Sequence, residues 1–370
     1  MASSNHGGVM TAKHFVQAAA CASLLISASE GVWAVLPVLP VHNGSVVLQN
    51  GRITAEVMDP NAADRYNQVV RFSNVAQVLR LQMDGKEFLA SPVGPRTDGD
   101  GGLAMEFDLA TDSFMTRPPN FAEAVANGVG NSGNFIKIGV GVLKKTTGNY
   151  EFYNNYPVVQ RAATTVTWGQ STADFVQICP SVNGYAYELR ETVALQDNKV
   201  VLSYALKNTG TKTLVTEQNI HNFFDFGPVG PGIQVDFPYD FQPLVQQEPL
   251  LSKIGQSVAV NQVIASGHYA KMFAYWPTAS SYAGPSAHTV NAFATGQSVV
   301  ADASLPSNWT AIFVGYGTMI TEANIALSIA PGQEAAFTRT YTLSVPEPAS
   351  LSMLLLAPLA ILRRHRQPLA

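Results

Sequence analysis

Cysteine is almost missing from this chain, which has two in 370 residues, Cys21 and Cys179. Cys21 falls in an N-terminal segment that reads as removable. The remaining body then holds Cys179 alone and can form no internal disulfide. Charge is also sparse, with Asp, Glu, Lys and Arg making up 13% of the residues. The sequence has no Gly-rich phosphate loop, no zinc-ligand spacing and no Gly-x-Ser-x-Gly turn. These absences argue against nucleotide-cofactor, zinc and serine-hydrolase chemistry, so no cofactor and no metal are expected. Sustained helical periodicity is nearly absent outside the two ends, although residues 121–126 suit a short helix.

What is present begins at the ends. Lys13 precedes an apolar run over residues 15–26, and Val32-Trp33-Ala34 gives a small-residue exit before Leu36-Pro37. That order predicts a secretory signal over residues 1–34, with Met1 or Met10 as the start, and too short for a permanent span. The other end reads Val345-Pro346-Glu347-Pro348-Ala349-Ser350, an apolar run to Leu362, then Arg363-Arg364-His365-Arg366. This order resembles the PEP-CTERM sorting signal of exopolysaccharide-producing Gram-negative bacteria. The apolar helix would be roughly 21 Å long at 1.5 Å per residue, short for a permanent anchor. The resemblance implies transient inner-membrane anchoring by residues 346–370, cleavage by an exosortase-type processing enzyme, and a final place at the cell surface or outside it.

The body is therefore residues 35–345. Losing Lys13, Arg363, Arg364 and Arg366 leaves 18 of the 22 basic residues, and losing Glu30 and Glu347 leaves 24 of the 26 acidic ones. The net charge of −6 excludes a nucleic-acid partner and is indifferent to neutral sugars. About 300 residues bury enough apolar surface to fold without a disulfide.

The body is written in period two. Val200, Leu202, Tyr204 and Leu206 alternate with Val201, Ser203 and Ala205. Phe337, Tyr341, Leu343 and Val345 alternate with Thr338, Thr340, Thr342 and Ser344, and residues 187–195 behave similarly. Such half-buried strands, separated by turns such as Asn50-Gly51, Asn183-Gly184 and Pro331-Gly332, predict one large antiparallel all-β sandwich. No Pro/Ser-rich linker divides it. Residues 91–102, rich in Gly and Asp, read as a long surface loop.

Four histidines, His42, His221, His268 and His288, lie outside the removable ends. His221 stands out by context, in Glu217-Gln218-Asn219-Ile220-His221-Asn222-Phe223-Phe224. An imidazole beside an amide and two aromatic rings suits the hydroxyl rim and C–H face of a sugar, although a lone histidine also serves as a structural hydrogen-bond partner.

The stretch from Asn219 to Phe224 resembles the Asn-His-x-Phe segment of galactose mutarotase (aldose 1-epimerase) and its relatives. Asn134-Phe135-Ile136-Lys137-Ile138-Gly139-Val140-Gly141-Val142-Leu143 resembles a segment of bacterial members of that superfamily. Arg65-Tyr66-Asn67-Gln68-Val69-Val70-Arg71-Phe72 resembles their early strand. Glu322, the Pro331-Gly332 turn and the strand to Val345 match the acidic residue, final turn and last strand of the family in order and spacing. The resemblance spans about residues 45–345 and implies a galactose mutarotase-like supersandwich. It assigns Glu322 as base and His221 as acid, opposed across one sugar ring. Arg71, Lys137 and Asn222 would bind hydroxyls or an anionic sugar. The bland readings of Arg71 and Lys137 are a solvated strand charge and a salt-bridge partner. The second histidine of the family has no counterpart, and the region around Lys137 stands in its place.

Three functions fit the sequence: an aldose epimerase, a non-catalytic module that holds extracellular polysaccharide, and, less well, β-elimination, whose enzymes add a helical domain. If the ends are sorting signals, mass spectrometry of the protein from its host should find both removed. Intact cytoplasmic protein retaining both would contradict the assignment.

Overall fold

The computed structural model describes residues 40–92, 94–108, 119–247, 250–264, 269–275, 287–307, 309–315 and 318–346. All belong to the compact unit formed by residues 39–370. The expected signal segment and the tail beyond Pro346 lie outside the described residues. Among the described residues, no helix is long and apolar enough to cross a membrane.

The period-two segments form strands where alternation demands them. Residues Lys199–Asn208 and Glu334–Ser344 are adjacent antiparallel strands, with Val200 opposite Tyr341 and Tyr204 opposite Phe337. Their alternate residues Val200, Leu202, Tyr204, Leu206, Phe337, Tyr341 and Leu343 are buried, as burial of one sheet face requires. Asn183 and Gly184, both at positive φ, make the two-residue turn between Thr172–Val182 and Tyr185–Gln196.

Two ten-stranded antiparallel sheets result. The first runs Ser45–Gln49, Ile53–Met58, Val78–Met83, Leu103–Asp108, Leu214–Phe224, Thr318–Ile329, Trp309–Gly315, Tyr269–Tyr275, Gln242–Gln247, with Lys86–Glu87 beside the third. The second runs Leu251–Ile254, Ser257–Val260, Ile233–Asp236, His288–Ala292, Gln297–Ala303, Glu334–Ser344, Lys199–Asn208, Tyr185–Gln196, Thr172–Val182, Ala163–Trp168. A third sheet joins Asn134–Lys137, Gly141–Lys144 and Val158–Arg161. The expected antiparallel sandwich is therefore present. A short helix is present too, but it spans Pro119–Glu123 and stops before residues 124–126, which were expected to belong to it.

One apolar cluster fills the space between the large sheets, with Val57, Leu81, Phe107 and Ile220 from the first and Leu189, Leu202, Phe337 and Tyr341 from the second. Arg339 lies on that same buried face, between Phe337 and Tyr341 in the alternation. Its guanidinium is 4% exposed and bonds through Nε and Nη2 to Gln218 Oε1, at 2.8 and 2.6 Å. Nη2 also reaches the carbonyls of Gln218 and Ala323. Burial holds its pKa below the usual arginine value.

Two local expectations are corrected. Residues 65–72 are a bent segment rather than a strand. Asn67 Nδ2 donates to the carbonyls of Phe72 and Ser73, which folds the chain back on itself. The region 91–102 is not wholly a surface loop, because Gly101 and Gly102 are buried and Gln77 Nε2 bonds the carbonyls of Gly99 and Gly101. Gly102 sits at φ 64°, where a Cβ would collide with the Val78 carbonyl.

Replacing Gln218 with Ala removes the oxygen that accepts two bonds from a buried cation. A loss of about 2 kcal/mol is expected, in the range for hydrogen bonds to charged groups. Urea unfolding should show a lower midpoint at unchanged slope. An unchanged midpoint would mean that Arg339 finds its acceptors elsewhere.

Candidate functional site

The strand Leu214–Phe224 is central to the first sheet, paired with Leu103–Asp108 on one side and Thr318–Ile329 on the other. Both faces are covered, so its burial is almost unbroken and its alternation cannot be read from hydrophobicity. Thr216, Gln218, Ile220, Asn222 and Phe224 share the face that carries the Gln218–Arg339 contact. Glu217, Asn219, His221 and Phe223 share the opposite face.

Register builds the site on that opposite face. Asn222 pairs with Thr321, which sets His221 beside Glu322. Ala104 flanks the pair on one side, opposite His221, and Ala311 on the other, opposite Glu322. A neighbouring row holds Glu106 opposite Asn219 and Asn324 opposite Trp309. The row on the other side holds Phe223, Ile320, Phe313 and Lys271.

His221 Nδ1 lies 3.0 Å from Glu322 Oε1, and His221 Nε2 lies 3.6 Å from Glu106 Oε2. Lys137 Nζ reaches Glu106 Oε1 at 3.0 Å, and Arg71 Nε stands 3.6 Å from Glu106 Oε2. Arg71 Nη1 is 3.4 Å from Asp100 Oδ1. Phe72 packs edge-on against the His221 ring, with centroids 5.0 Å apart. The fold aims the two cations from outside the sheet. Ser73 N bonds the Met105 carbonyl, and Asn74 N bonds the Gly139 carbonyl at the hairpin after Lys137. Gly139 N is in turn held by the hydroxyl of Tyr187 on the second sheet, at 3.1 Å.

Burial governs the protons. Glu322 is pushed up to about 7 by desolvation, with Lys271 and Arg71 opposing the rise and Glu106 and Asp100 adding to it. His221 is held well below its ordinary value, first by desolvation and then by Arg71, Lys271 and Lys137. Both shifts favour neutral forms, because transfer from water costs a charge more than this contact returns. Below about pH 7 the pair therefore keeps one proton, held mainly by Glu322.

Of the residues expected from sequence, His221, Glu322, Arg71 and Lys137 come together. The two expected to oppose one another across a sugar ring are instead in direct contact, because adjacent strands present them side by side. Asn222 does not join the cluster. It alternates to the other face, where its amide donates to the Thr321 carbonyl and hydroxyl and accepts from the Tyr341 hydroxyl. His288 Nε2 meets the same Thr321 hydroxyl at 2.8 Å, so Asn222 and His288 together brace the pairing of the two strands from behind. Glu106, Asp100 and Lys271 were not anticipated. A carboxylate at Glu106, alternating with Met105 and Phe107, reads as solvent-facing until the covering hairpin is known.

No protein-family model matches the sequence, and no curated protein matches it. Solved structures do match in shape. A protein from Synechocystis sp. PCC 6803 aligns with TM-score 0.51 at 10% identity, over 84% of this chain and 99% of its own. A galactose mutarotase-like protein from Clostridium acetobutylicum aligns with TM-score 0.51 at 10% identity, over 82% of this chain and 95% of its own. The described domain thus has the galactose mutarotase-like β-sandwich fold.

Proposed function

We propose that this protein handles carbohydrate as an aldose 1-epimerase-like isomerase, with Glu322 as base and His221 as acid. The observation that carries the reading is the 3.0 Å contact between His221 Nδ1 and Glu322 Oε1 on one sheet face, beside Phe72 and two cations. Mutarotation exchanges protons at two oxygens, the anomeric hydroxyl and the ring oxygen, and both are bonded to the anomeric carbon. Two groups in contact can therefore serve both oxygens from one side, without opposing each other across the ring.

In the step proposed, the pair's proton crosses the 3.0 Å contact from Glu322 to His221, and Glu322 then accepts the proton of the anomeric hydroxyl while His221 gives its own to the ring oxygen. The bond from the anomeric carbon to the ring oxygen breaks as the carbonyl forms, giving the open-chain aldehyde. After rotation, the ring hydroxyl attacks the other carbonyl face. His221 then takes its proton and Glu322 returns one to the new anomeric oxygen. The pair ends with the single proton it began with, and Glu106 with Lys137 fixes the far side of the imidazole.

A second reading, a non-catalytic carbohydrate-binding module, is favoured by the same contact in another light, since each partner already occupies the other. The N-terminal segment and the Pro-Glu-Pro tail support a further part of the proposal, export and exosortase-type processing, with extracellular polysaccharide as the setting. They bear on where the chain works and not on turnover.

Polarimetry on a panel of aldoses should show mutarotation faster than buffer. Glu322→Gln should abolish the excess while sugar binding persists, and His221→Asn should slow turnover by roughly 10²–10⁴-fold. Binding weakened by His221→Asn, without turnover by the native protein, would favour the module. Neither binding nor turnover would end both readings.

The pH dependence follows from the pair as a unit. Glu322 titrates at about 7, so above that pH the shared proton is lost and no acid remains. Turnover should fall as pH rises through about 7. A rate that instead climbs through 7 would mean that Glu322 acts alone as base.

A further inference from the structure

Most arginine–carboxylate pairs elsewhere among the described residues are short, although Arg52 stands 3.8 Å from Asp197. Arg80 reaches Glu87 Oε1 with Nε at 2.8 Å and Nη2 at 2.6 Å, within the span expected of charge-assisted bonds. Lys137 is equally committed, at 3.0 Å from Glu106 with both side chains 2% exposed. Arg71 is different. It lies 3.4 Å from Asp100 and 3.6 Å from Glu106, and its buried Nε has no hydrogen-bond partner.

This loose cation is nonetheless held in place. Its Cζ sits 4.5 Å from the Phe72 ring centroid and 4.8 Å from that of Phe152, so two aromatic rings hold the guanidinium. A guanidinium so restrained keeps its fork for a planar two-oxygen partner, and its side chain remains 22% exposed. Asp100, the carboxylate nearest its Nη1, is 35% exposed and sits among glycines in the bent 99–102 segment. Desolvation raises its pKa, with Arg71 and Arg96 opposing the rise.

We infer that the site takes an acidic sugar, a uronic acid or a chain end bearing one, with Arg71 binding the sugar carboxylate beside the His221–Glu322 pair. The inference rests on the proposed sugar site and names its ligand class. Arg71 is here a specificity-determining residue, and it moves no proton in the reaction.

Calorimetric titration of the purified protein near pH 6 with galacturonate, galacturonamide and galactose tests it. The amide keeps the shape of the acid and lacks its charge, so the comparison needs no variant. Galacturonate should bind roughly 10–100-fold more tightly than the amide, the range for a hydrogen-bonded charge. Arg71→Gln should bring the two ligands within about twofold, and Arg71→Lys should keep an intermediate preference. If galactose is bound and turned over but acid and amide bind alike, the ligand class is wrong and the sugar site stands. If none of the three binds and none is turned over, the sugar site itself fails and takes this inference with it. A preference for the acid that survives Arg71→Gln unchanged would overturn the role of Arg71.

Discussion

The strand Leu214–Phe224 and its register with two neighbours are the constraint on which the rest depends. Strand residues alternate faces, so a slip of one position would send His221 into the core and bring Asn222 onto the site face. The register is fixed from behind. Asn222 is bonded to Thr321 and Tyr341, and Gln218 is bonded to Arg339, all between the two sheets. These buried polar bonds cost about as much to break as a core side chain costs to truncate. The chemistry on one face is thus specified by hydrogen bonding on the other.

Much of the fold could be read from the sequence, because half-buried strands advertise themselves. Val200 to Leu206 and Phe337 to Leu343 alternate cleanly, and Asn183-Gly184 has the residues that a tight hairpin needs. Arg339 interrupted that pattern, since a charged residue on a core face contradicts simple alternation. Its explanation lies in Gln218, more than a hundred residues away. The central strand was hard to read for the opposite reason: with both faces covered, hydrophobicity no longer marks direction. Asn222 was accordingly drawn into the site by its sequence neighbour, although its side chain points away.

The candidate site was legible in part. His221 and Glu322 were found through short motifs around them, but their contact depends on pairing that no local pattern encodes. Glu106 went unnoticed because a lone acidic residue in a strand normally faces water. Here the Asn134–Lys137 hairpin and the bent segment carrying Arg71 close over it, the segment tied to the first sheet by the Ser73–Met105 backbone bond and the hairpin to the second by the Tyr187 hydroxyl. Residues 65–72 were read as a strand for want of any signal that Asn67 would cap two of their carbonyls.

Burial around the pair is what makes it chemically distinctive. It raises the carboxyl and lowers the imidazole together, so that one proton is retained below about pH 7. Lys137 holds Glu106 in place, and Lys271 and Arg71 limit how far Glu322 can rise. A carbon-13 NMR titration of the Glu322 side-chain carboxyl measures this directly. The account predicts a midpoint near 7, where the structure sets it, with the group protonated at pH 5.5. A midpoint near the ordinary value of 4.5 would contradict it, because the pair would then hold no shared proton at neutral pH.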